Sequence, residues 1–230
     1  PEQLNEAQRT QILSAVEGQL ATLIKSGWQL YQLFQLSPEQ LNEAQRTQLL
    51  TAVEGQLATL IKDGSELLQL FQLSPEQLNE AQRTQILTAV EGRLATLIEN
   101  GRQLYQLFEL SPTQLNAAQR AQIWAAVEGR LATLIKDGWE LCGLFQLSAE
   151  QLNAAQRAQI WRAVEGQLTT LIKYHSELCG LFQLSPEKLN AAQRTQILSA
   201  VEGRLATLIE NGRQLYQLFG FSPAQLNAAQ

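Results

Sequence analysis

The sequence predicts an all-α protein, a right-handed solenoid of helical-hairpin repeats that forms a superhelix or closes into a ring. One motif recurs every 37 residues without an insertion, beginning at Pro1, Pro38, Pro75, Pro112, Ala149, Pro186 and Pro223. Within each copy the apolar residues recur at spacings of three and four, which is typical of one helix face. No stretch shows the alternating β-branched residues of a strand. A fixed period with helical patterning indicates units that are stable only against their neighbours.

We therefore expect a single repeat array over the 230 residues. Six copies, each a long helix followed by a short one, occupy 1–37, 38–74, 75–111, 112–148, 149–185 and 186–222, and 223–230 begin a seventh. The chain starts within the motif and contains no Met, which suggests a piece of a longer array. Such an array, without a polar capping repeat, is expected to associate end to end.

The second copy illustrates how each unit is predicted to begin and end. Ser37 followed by Pro38 is a helix start, with serine as N-cap, proline at the first helical position and Gln40 completing a capping box. The apolar pattern favours one long helix, with a C-cap at Gly64 in the left-handed conformation. Asn42 is a possible second cap, in which case the opening turn is separate. A short helix follows from Ser65.

A glycine in the middle of the predicted long helix needs an explanation. Gly55 and its equivalents Gly18, Gly92, Gly129, Gly166 and Gly203 each cost about 1 kcal/mol relative to alanine at an interior helical position. Small residues neighbour Gly55 on its helix face. We interpret the glycine as a close helix crossing between copies, where a Cβ would collide.

The composition argues against several classes of function. The net charge of −5 disfavours a broad phosphate-binding surface. His175 stands where other copies have the predicted cap glycine, and is interpreted as an altered cap rather than a catalytic or ligand residue. Cys142 and Cys179 occupy equivalent positions in adjacent copies and are expected to be reduced core thiols, too far apart for a disulfide. We expect no catalysis, cofactor or metal.

Two charged series repeat with the array. One is arginine, at Arg9, Arg46, Arg83, Arg120, Arg157 and Arg194, and the other is glutamate, at Glu17, Glu54, Glu91, Glu128, Glu165 and Glu202. The arginines could follow a phosphate backbone or pair with the glutamates within or between copies. The one-to-one match of the two series and the acidic net charge favour pairing.

Sequence variation between copies marks a candidate binding face on the short helices. The first residue after the predicted cap varies among tryptophan, serine and arginine, and the residue three further on is often tyrosine. No single packing role accommodates these side chains, so part of this face is expected to meet solvent. Tryptophan, tyrosine and arginine are enriched at binding hot spots. The candidate binding residues are Trp28, Tyr31, Arg102, Tyr105, Trp139, Arg213 and Tyr216.

The opening of each copy resembles that of a known repeat family. Leu36 to Gln40 reads L-S-P-E-Q, similar to the L-T-P-E-Q opening of transcription-activator-like effector repeats, helical hairpins that read DNA one base per repeat. That family places a polar or glycine base-reading pair near positions twelve and thirteen of its repeat. The corresponding pairs in this chain are apolar and are expected to be buried: Leu49-Leu50, Ile86-Leu87 and Ile123-Trp124. The resemblance therefore does not imply that this chain recognises DNA.

These observations predict a non-catalytic scaffold that binds a protein or peptide along its short helices. The alternatives are a modular nucleic-acid-binding protein and a structural array that assembles with itself. Neither a membrane-spanning run nor a signal peptide is visible in the sequence. Together with the two unpaired cysteines, this favours a soluble protein of a reducing compartment such as the cytoplasm.

Overall fold

A computed structural model describes residues 4–221, and all regular secondary structure among these residues is helical. The predicted all-α solenoid of repeated helical hairpins is therefore confirmed. The motif at Pro1 and the expected start of a seventh copy at Pro223 lie outside the described residues. Within residues 4–221 no helix has the length and apolar character needed to cross a bilayer.

Each copy contains four helical segments in a fixed order. An eleven-residue first helix comprises Glu6–Val16 (α1), Glu43–Val53 (α4), Glu80–Val90 (α7), Ala117–Val127 (α10), Ala154–Val164 (α13) and Ala191–Val201 (α16). A 3-10 turn follows at Glu17–Gln19, Glu54–Gln56, Glu91–Arg93, Glu128–Arg130, Glu165–Gln167 and Glu202–Arg204. A four-residue helix comes next, at Leu20–Leu23 (α2), Leu57–Leu60 (α5), Leu94–Leu97 (α8), Leu131–Leu134 (α11), Leu168–Leu171 (α14) and Leu205–Leu208 (α17).

The fourth segment is the short helix that closes the copy. It has eight or nine residues and spans Gly27–Phe34 (α3), Gly64–Gln72 (α6), Gly101–Glu109 (α9), Gly138–Gln146 (α12), His175–Gln183 (α15) and Gly212–Phe219 (α18). Its apolar side places a leucine and a phenylalanine in the core, such as Leu141 and Phe145, both fully buried. Its other side carries the candidate binding residues.

The prediction of one long helix starting at Ser37 is wrong, because Asn42 begins a separate helix. The Asn42 Oδ1 accepts a hydrogen bond from the Gln45 N–H at 2.9 Å, and the Gln45 Oε1 accepts one from the Asn42 N–H at 3.0 Å. This complete capping box satisfies main-chain donors that a continuous helix would bond internally. Residues 38–40 form only a turn, in which the Ser37 carbonyl accepts the Gln40 N–H.

The predicted left-handed glycine cap at Gly64 is also wrong. No described residue, glycine or other, has a positive φ. The four-residue helix α5 ends instead because Ile61 turns to an extended conformation, with φ −84° and ψ 104°. Gly64 then begins the next helix, and the Asp63 carboxylate caps it by accepting the Ser65 and Glu66 N–H groups at 2.9 Å.

The described chain falls into two compact units. The first comprises residues up to 99 together with 109–127, and the second comprises 100–108 together with residues from 128 onward. In the first unit α3 packs against α6, α2 against α4, α5 against α7, and α8 against α10. In the second, α12 packs against α15, α15 against α18, α11 against α13 and α14 against α16. In both units, therefore, each copy buries its apolar face against the next copy.

The arginine series holds consecutive copies together. Arg46 and Arg83 are almost fully buried, and their Nη1 groups donate to main-chain carbonyls of the following copy, Glu76 at 2.6 Å and Thr113 at 2.8 Å. Their Nη2 groups donate to the Leu36 and Leu73 carbonyls at the end of the preceding short helix. Burial lowers the pKa of Arg83 to about 10. The guanidinium groups are thus structural, and cannot form a phosphate stripe.

The expected arginine–glutamate pairing does not describe this arrangement either. Glu54 lies in the exposed 3-10 turn, whereas Arg46 is buried and bonds to carbonyls. A cation beside the last carbonyls of a helix also interacts favourably with the helix dipole. The sequence showed that the arginine and glutamate series repeat with the same period. It did not show that Arg46 is buried whereas Glu54 is exposed.

Candidate binding face on the short helices

In three pairs of neighbouring short helices, a glycine at the start of one helix lies against a glutamate of the next copy. A Cβ on Gly27, Gly101 or Gly138 would lie 3.0 Å or less from the side chain of the next copy's glutamate, namely Glu66, Glu140 and Glu177 respectively. The tightest case is Gly138, where the added Cβ would lie 2.7 Å from the Glu177 Cβ. At Gly138 a larger residue would force Glu177 to move, so glycine permits the close approach of α12 and α15.

Two of these glutamates, Glu140 and Glu177, accept main-chain N–H groups at the starts of two neighbouring helices. Glu177 is almost fully buried, and its Oε2 accepts the Lys173 and Tyr174 N–H groups at 2.6 and 2.9 Å. Its Oε1 accepts the Gly138 N–H of the preceding copy at 3.3 Å. A carboxylate beside helix N-termini is stabilised by the helix dipole. The short helices are therefore joined at one end by an electrostatic and a steric contact.

His175 departs from this pattern, because it replaces the glycine. It is the first residue of α15, is buried, and its Nε2 donates to the Gln214 carbonyl at 2.9 Å. Its ring also lies 3.4 Å from the Cys179 Sγ. The interpretation of His175 as an altered left-handed cap is thus wrong, and the residue instead bonds the fifth copy to the sixth.

The predicted binding residues are distributed between exposed and half-buried positions. Trp28 is 45% exposed, Trp139 is 52% exposed and Tyr216 is 77% exposed. Arg102 and Arg213 are also exposed, whereas Tyr31 and Tyr105 are half-buried. Where other copies carry leucine or cysteine at the tyrosine position, those side chains are buried: Leu68, Cys142 and Cys179. The expectation that part of this face meets solvent is therefore confirmed.

In the first unit the two aromatic candidates lie on one helix and contact each other. The Trp28 and Tyr31 ring centroids are 5.3 Å apart, with the planes tilted by 34°. The Gln35 side chain donates to the Tyr31 hydroxyl from the next turn. This pair forms a small aromatic cluster on α3.

In the second unit the candidates line a depression of about 610 Å³ between α9 and α12. Arg102 and Tyr105 form one wall, and Trp139, Gly143 and Gln146 belong to the other. A Cβ on Gly143 would lie 3.3 Å from the Tyr105 ring, so the ring rests directly on the glycine.

A second depression, of about 560 Å³, adjoins the first across α12, α15 and α18. It shares Trp139 and Gln146 with the first and adds Gly180, Gln183 and Tyr216. A Cβ on Gly180 would lie 3.5 Å from the Trp139 ring and 3.3 Å from the Cys142 Sγ. The two depressions lie on either side of Trp139 and are together called the aromatic groove.

Sequence reasoning missed the two glycines that line the aromatic groove, Gly143 and Gly180. Gly143 and Gly180 occupy a position that is glutamine in the other four copies, at Gln32, Gln69, Gln106 and Gln217. This exchange from glutamine to glycine was the available signal. At each glycine an aromatic ring of the preceding copy packs where a larger side chain would begin.

The two cysteines lie below this groove as buried, free thiols. Burial raises the pKa of Cys142 to about 11, and it also raises the pKa of Cys179. A thiol with a raised pKa stays protonated at neutral pH, which is unfavourable for a nucleophile or a metal ligand. Among the described residues no three His, Cys, Asp or Glu side chains are grouped to hold a metal ion.

The effector repeats carry their base-reading pair at two positions of each repeat. At the corresponding positions of this chain the apolar pairs are buried. Leu49, Leu50, Ile86, Leu87, Ile123 and Trp124 all lie in the core. These side chains are thus placed to pack copies together rather than to reach a base edge.

Comparison with protein-family models, curated proteins and solved structures finds no match to the chain.

Proposed function

We propose that the chain is a non-catalytic scaffold that binds a protein or peptide segment along its short helices. The observation that carries this proposal is Trp139, which is half exposed and stands in the middle of the aromatic groove. Moving a large aromatic ring out of water and against a partner is favourable, so an exposed tryptophan contributes to binding. Its neighbours Arg102 and Tyr105 are of the types that dominate binding energy in protein interfaces.

Electrostatics favour a protein partner over a nucleic acid. The net charge is −5, and the repeated arginines are buried against main-chain carbonyls rather than displayed to phosphate. Binding of single-stranded nucleic acid also uses stacked aromatic rings, but it depends on a positively charged groove. The aromatic groove displays Arg102, but Asp137 and Glu140 also line it.

Selection of peptides from a random phage-displayed library tests the proposal. The immobilised wild-type chain is used for capture, and the Trp139→Ser variant removes peptides that bind elsewhere. Serine occupies this position in two copies, at Ser65 and Ser176, so the variant is compatible with the fold. Selected peptides should bind the wild type and lose about tenfold or more in affinity on Trp139→Ser.

A matched control is Thr51→Ala on the exposed side of α4, where the fourth copy already has Ala125. This change should leave peptide affinity unaltered. Failure to select any peptide sensitive to Trp139→Ser would contradict the proposal. Binding of random oligonucleotides with a steep loss between low and moderate salt would favour the nucleic-acid alternative instead.

Self-association is a second candidate, favoured by apolar side chains exposed in the first and sixth copies. Ile12 and Leu23 are about half exposed and Phe219 is 75% exposed, whereas their equivalents Leu49, Leu60 and Phe182 are buried. The two exposed faces correspond to surfaces that pack together between interior copies. Light scattering over a range of concentrations should show an apparent mass that rises with concentration, and a constant monomer mass would exclude self-association.

A further inference from the structure

The first copy carries an apolar depression of about 440 Å³ that shares no residue with the aromatic groove. Leu13, Leu20, Leu23 and Ile24 line it, together with side chains of α3. Leu20 and Ile24 are buried, whereas Leu23 is 51% exposed. The equivalent of Leu23 in the second copy, Leu60, is buried. The first copy therefore exposes an apolar surface that the second copy covers.

A pair of aromatic rings in the second unit shows which side chain packs at this position between copies. The Phe145 and Trp161 ring centroids are 6.3 Å apart, with an interplanar angle of 68°. Phe145 belongs to the short helix α12, and Trp161 belongs to α13, the first helix of the following copy. Trp161 is the fifth-copy equivalent of Leu13, which lines the depression. The phenylalanine of a short helix thus packs on the position that Leu13 occupies in the first copy.

The sixth copy exposes the phenylalanine that matches this depression. Phe219 is the sixth-copy equivalent of Phe145 and is 75% exposed, and Leu215, one turn earlier on α18, is 43% exposed. The equivalent leucines and phenylalanines of the fourth and fifth copies are at most 1% exposed: Leu141, Phe145, Leu178 and Phe182. The sixth copy therefore presents the apolar side that other copies bury against their successor.

A polar pair accompanies the apolar match. The Gln119 Nε2 donates to the Thr84 hydroxyl of the preceding copy at 3.1 Å, and the same bond recurs at two earlier positions of the first unit. The first copy has Gln8 at the glutamine position, and the sixth copy has Thr195 at the threonine position. The Thr195 hydroxyl donates to the Ala191 carbonyl at 3.1 Å, as the Thr84 hydroxyl donates to a carbonyl of its own helix at 3.0 Å. The Thr195 oxygen is thus oriented to accept a glutamine amide.

We infer that two molecules of this chain associate head to tail, with Phe219 of one molecule in the first-copy depression of the other. The contact continues the interface that joins copies within each unit, and Gln8 of one molecule donates to Thr195 of the other. A second molecule supplies both the ring and the hydroxyl at the positions that the repeat uses. The inference rests on the self-association candidate and specifies its two surfaces. Because these surfaces differ, the contact is heterologous.

Two variants that each remove one surface test this inference. Phe219→Lys introduces a charge into the sixth-copy surface, and Leu23→Lys introduces one into the wall of the first-copy depression. Both side chains are more than half exposed, so neither change should disturb the fold. In sedimentation-velocity ultracentrifugation the wild type should form species of two or more molecules as its concentration rises. Each variant alone should remain a monomer at the same concentrations.

An equimolar mixture of the two variants distinguishes a heterologous contact from a symmetric one. Phe219→Lys retains the first-copy surface and Leu23→Lys retains the sixth-copy surface, so the mixture should form a dimer with one molecule of each and nothing larger. Adding Thr195→Ala to the Leu23→Lys variant should weaken this dimer about threefold, because one hydrogen bond is lost. Two copies already have alanine at this position, Ala121 and Ala158.

The possible failures separate this inference from the other proposals. A wild type that stays monomeric overturns both the inference and the self-association candidate. Oligomers that persist in both single variants, a mixture without a dimer, or an unchanged affinity with Thr195→Ala overturn the inference alone. Loss of association on Trp139→Ser would place the contact in the aromatic groove and would also overturn it. Peptide selection with Trp139→Ser remains a separate test of the scaffold, because the lysine variants retain Trp139.

Discussion

Gly129 and Gly138 belong to the same copy and have opposite surroundings. A Cβ on Gly129 would meet no atom within 4 Å, whereas a Cβ on Gly138 would lie 2.7 Å from the Glu177 Cβ. Gly129 lies in an exposed 3-10 turn, and Gly138 is buried at the start of α12. The close contact between copies is therefore made by the glycine at the start of the short helix, not by the glycine within the first part of the repeat.

This comparison corrects the sequence interpretation of both glycines. The close crossing predicted for Gly129 and its equivalents is wrong, since all six have open space at the Cβ position. Nothing among the described residues explains why this position is glycine. The contact at Gly138 was interpreted as a helix C-cap because glycine commonly ends helices. Sequence alone did not reveal that the next copy's glutamate covers it.

The largest effect is expected from Gly138→Leu. Its side chain would have to displace Glu177 and separate α12 from α15, which should lower the free energy of unfolding by about 3 kcal/mol. Urea denaturation followed by circular dichroism measures the change. Gly212→Leu is the matched control, because Gly212 begins α18 and has no described atom within 4 Å of its Cβ position. A loss as large in the control would show that the α12–α15 contact is not the cause.

A double-mutant cycle of Gly138→Ala and Glu177→Ala should show coupling. Glu177→Ala alone removes the acceptor for the Gly138, Lys173 and Tyr174 N–H groups and should cost about 1–3 kcal/mol. Once Glu177 is shortened, Gly138→Ala should be less destabilising, with a coupling of about 1 kcal/mol. Strictly additive losses would mean that the two residues do not meet.

Gly129→Ala should have the smallest effect, and it should stabilise the protein. Alanine restricts the unfolded chain and disfavours non-helical conformations, so a gain of about 0.5–1 kcal/mol is expected at an open position without a positive φ. A higher urea midpoint would show this gain. The same change at Gly55 serves as a second measurement, and a loss of stability at either site would revive the idea of a close crossing there.

Sequence reasoning predicted the features of the fold that depend on local patterning. The 37-residue period, the helical content, the buried apolar pairs and the partial exposure of the short helices follow from spacing and residue type. The break after residues 38–40 was considered but not favoured, because the Asn42 cap competes with a proline start of similar strength. The signals for both are short, so sequence alone ranks them poorly.

The contacts between copies were the part that could not be predicted. The burial of Arg83, its bonds to carbonyls and the approach of Glu177 to Gly138 depend on how one copy lies on the next. The aromatic groove has the same origin, because the Tyr105 ring covers a glycine that is distant in the chain. A repeat pattern identifies which residues are equivalent, but it does not give the distance or angle between copies.

The most direct test of this account compares Gly129→Ala with Gly138→Ala by urea denaturation under identical conditions. The account predicts opposite signs: a higher midpoint for Gly129→Ala, where the new methyl group meets solvent, and a lower midpoint for Gly138→Ala, where it meets Glu177. A shift of the same sign in both variants would contradict the claim that the copies are held together at the start of the short helices.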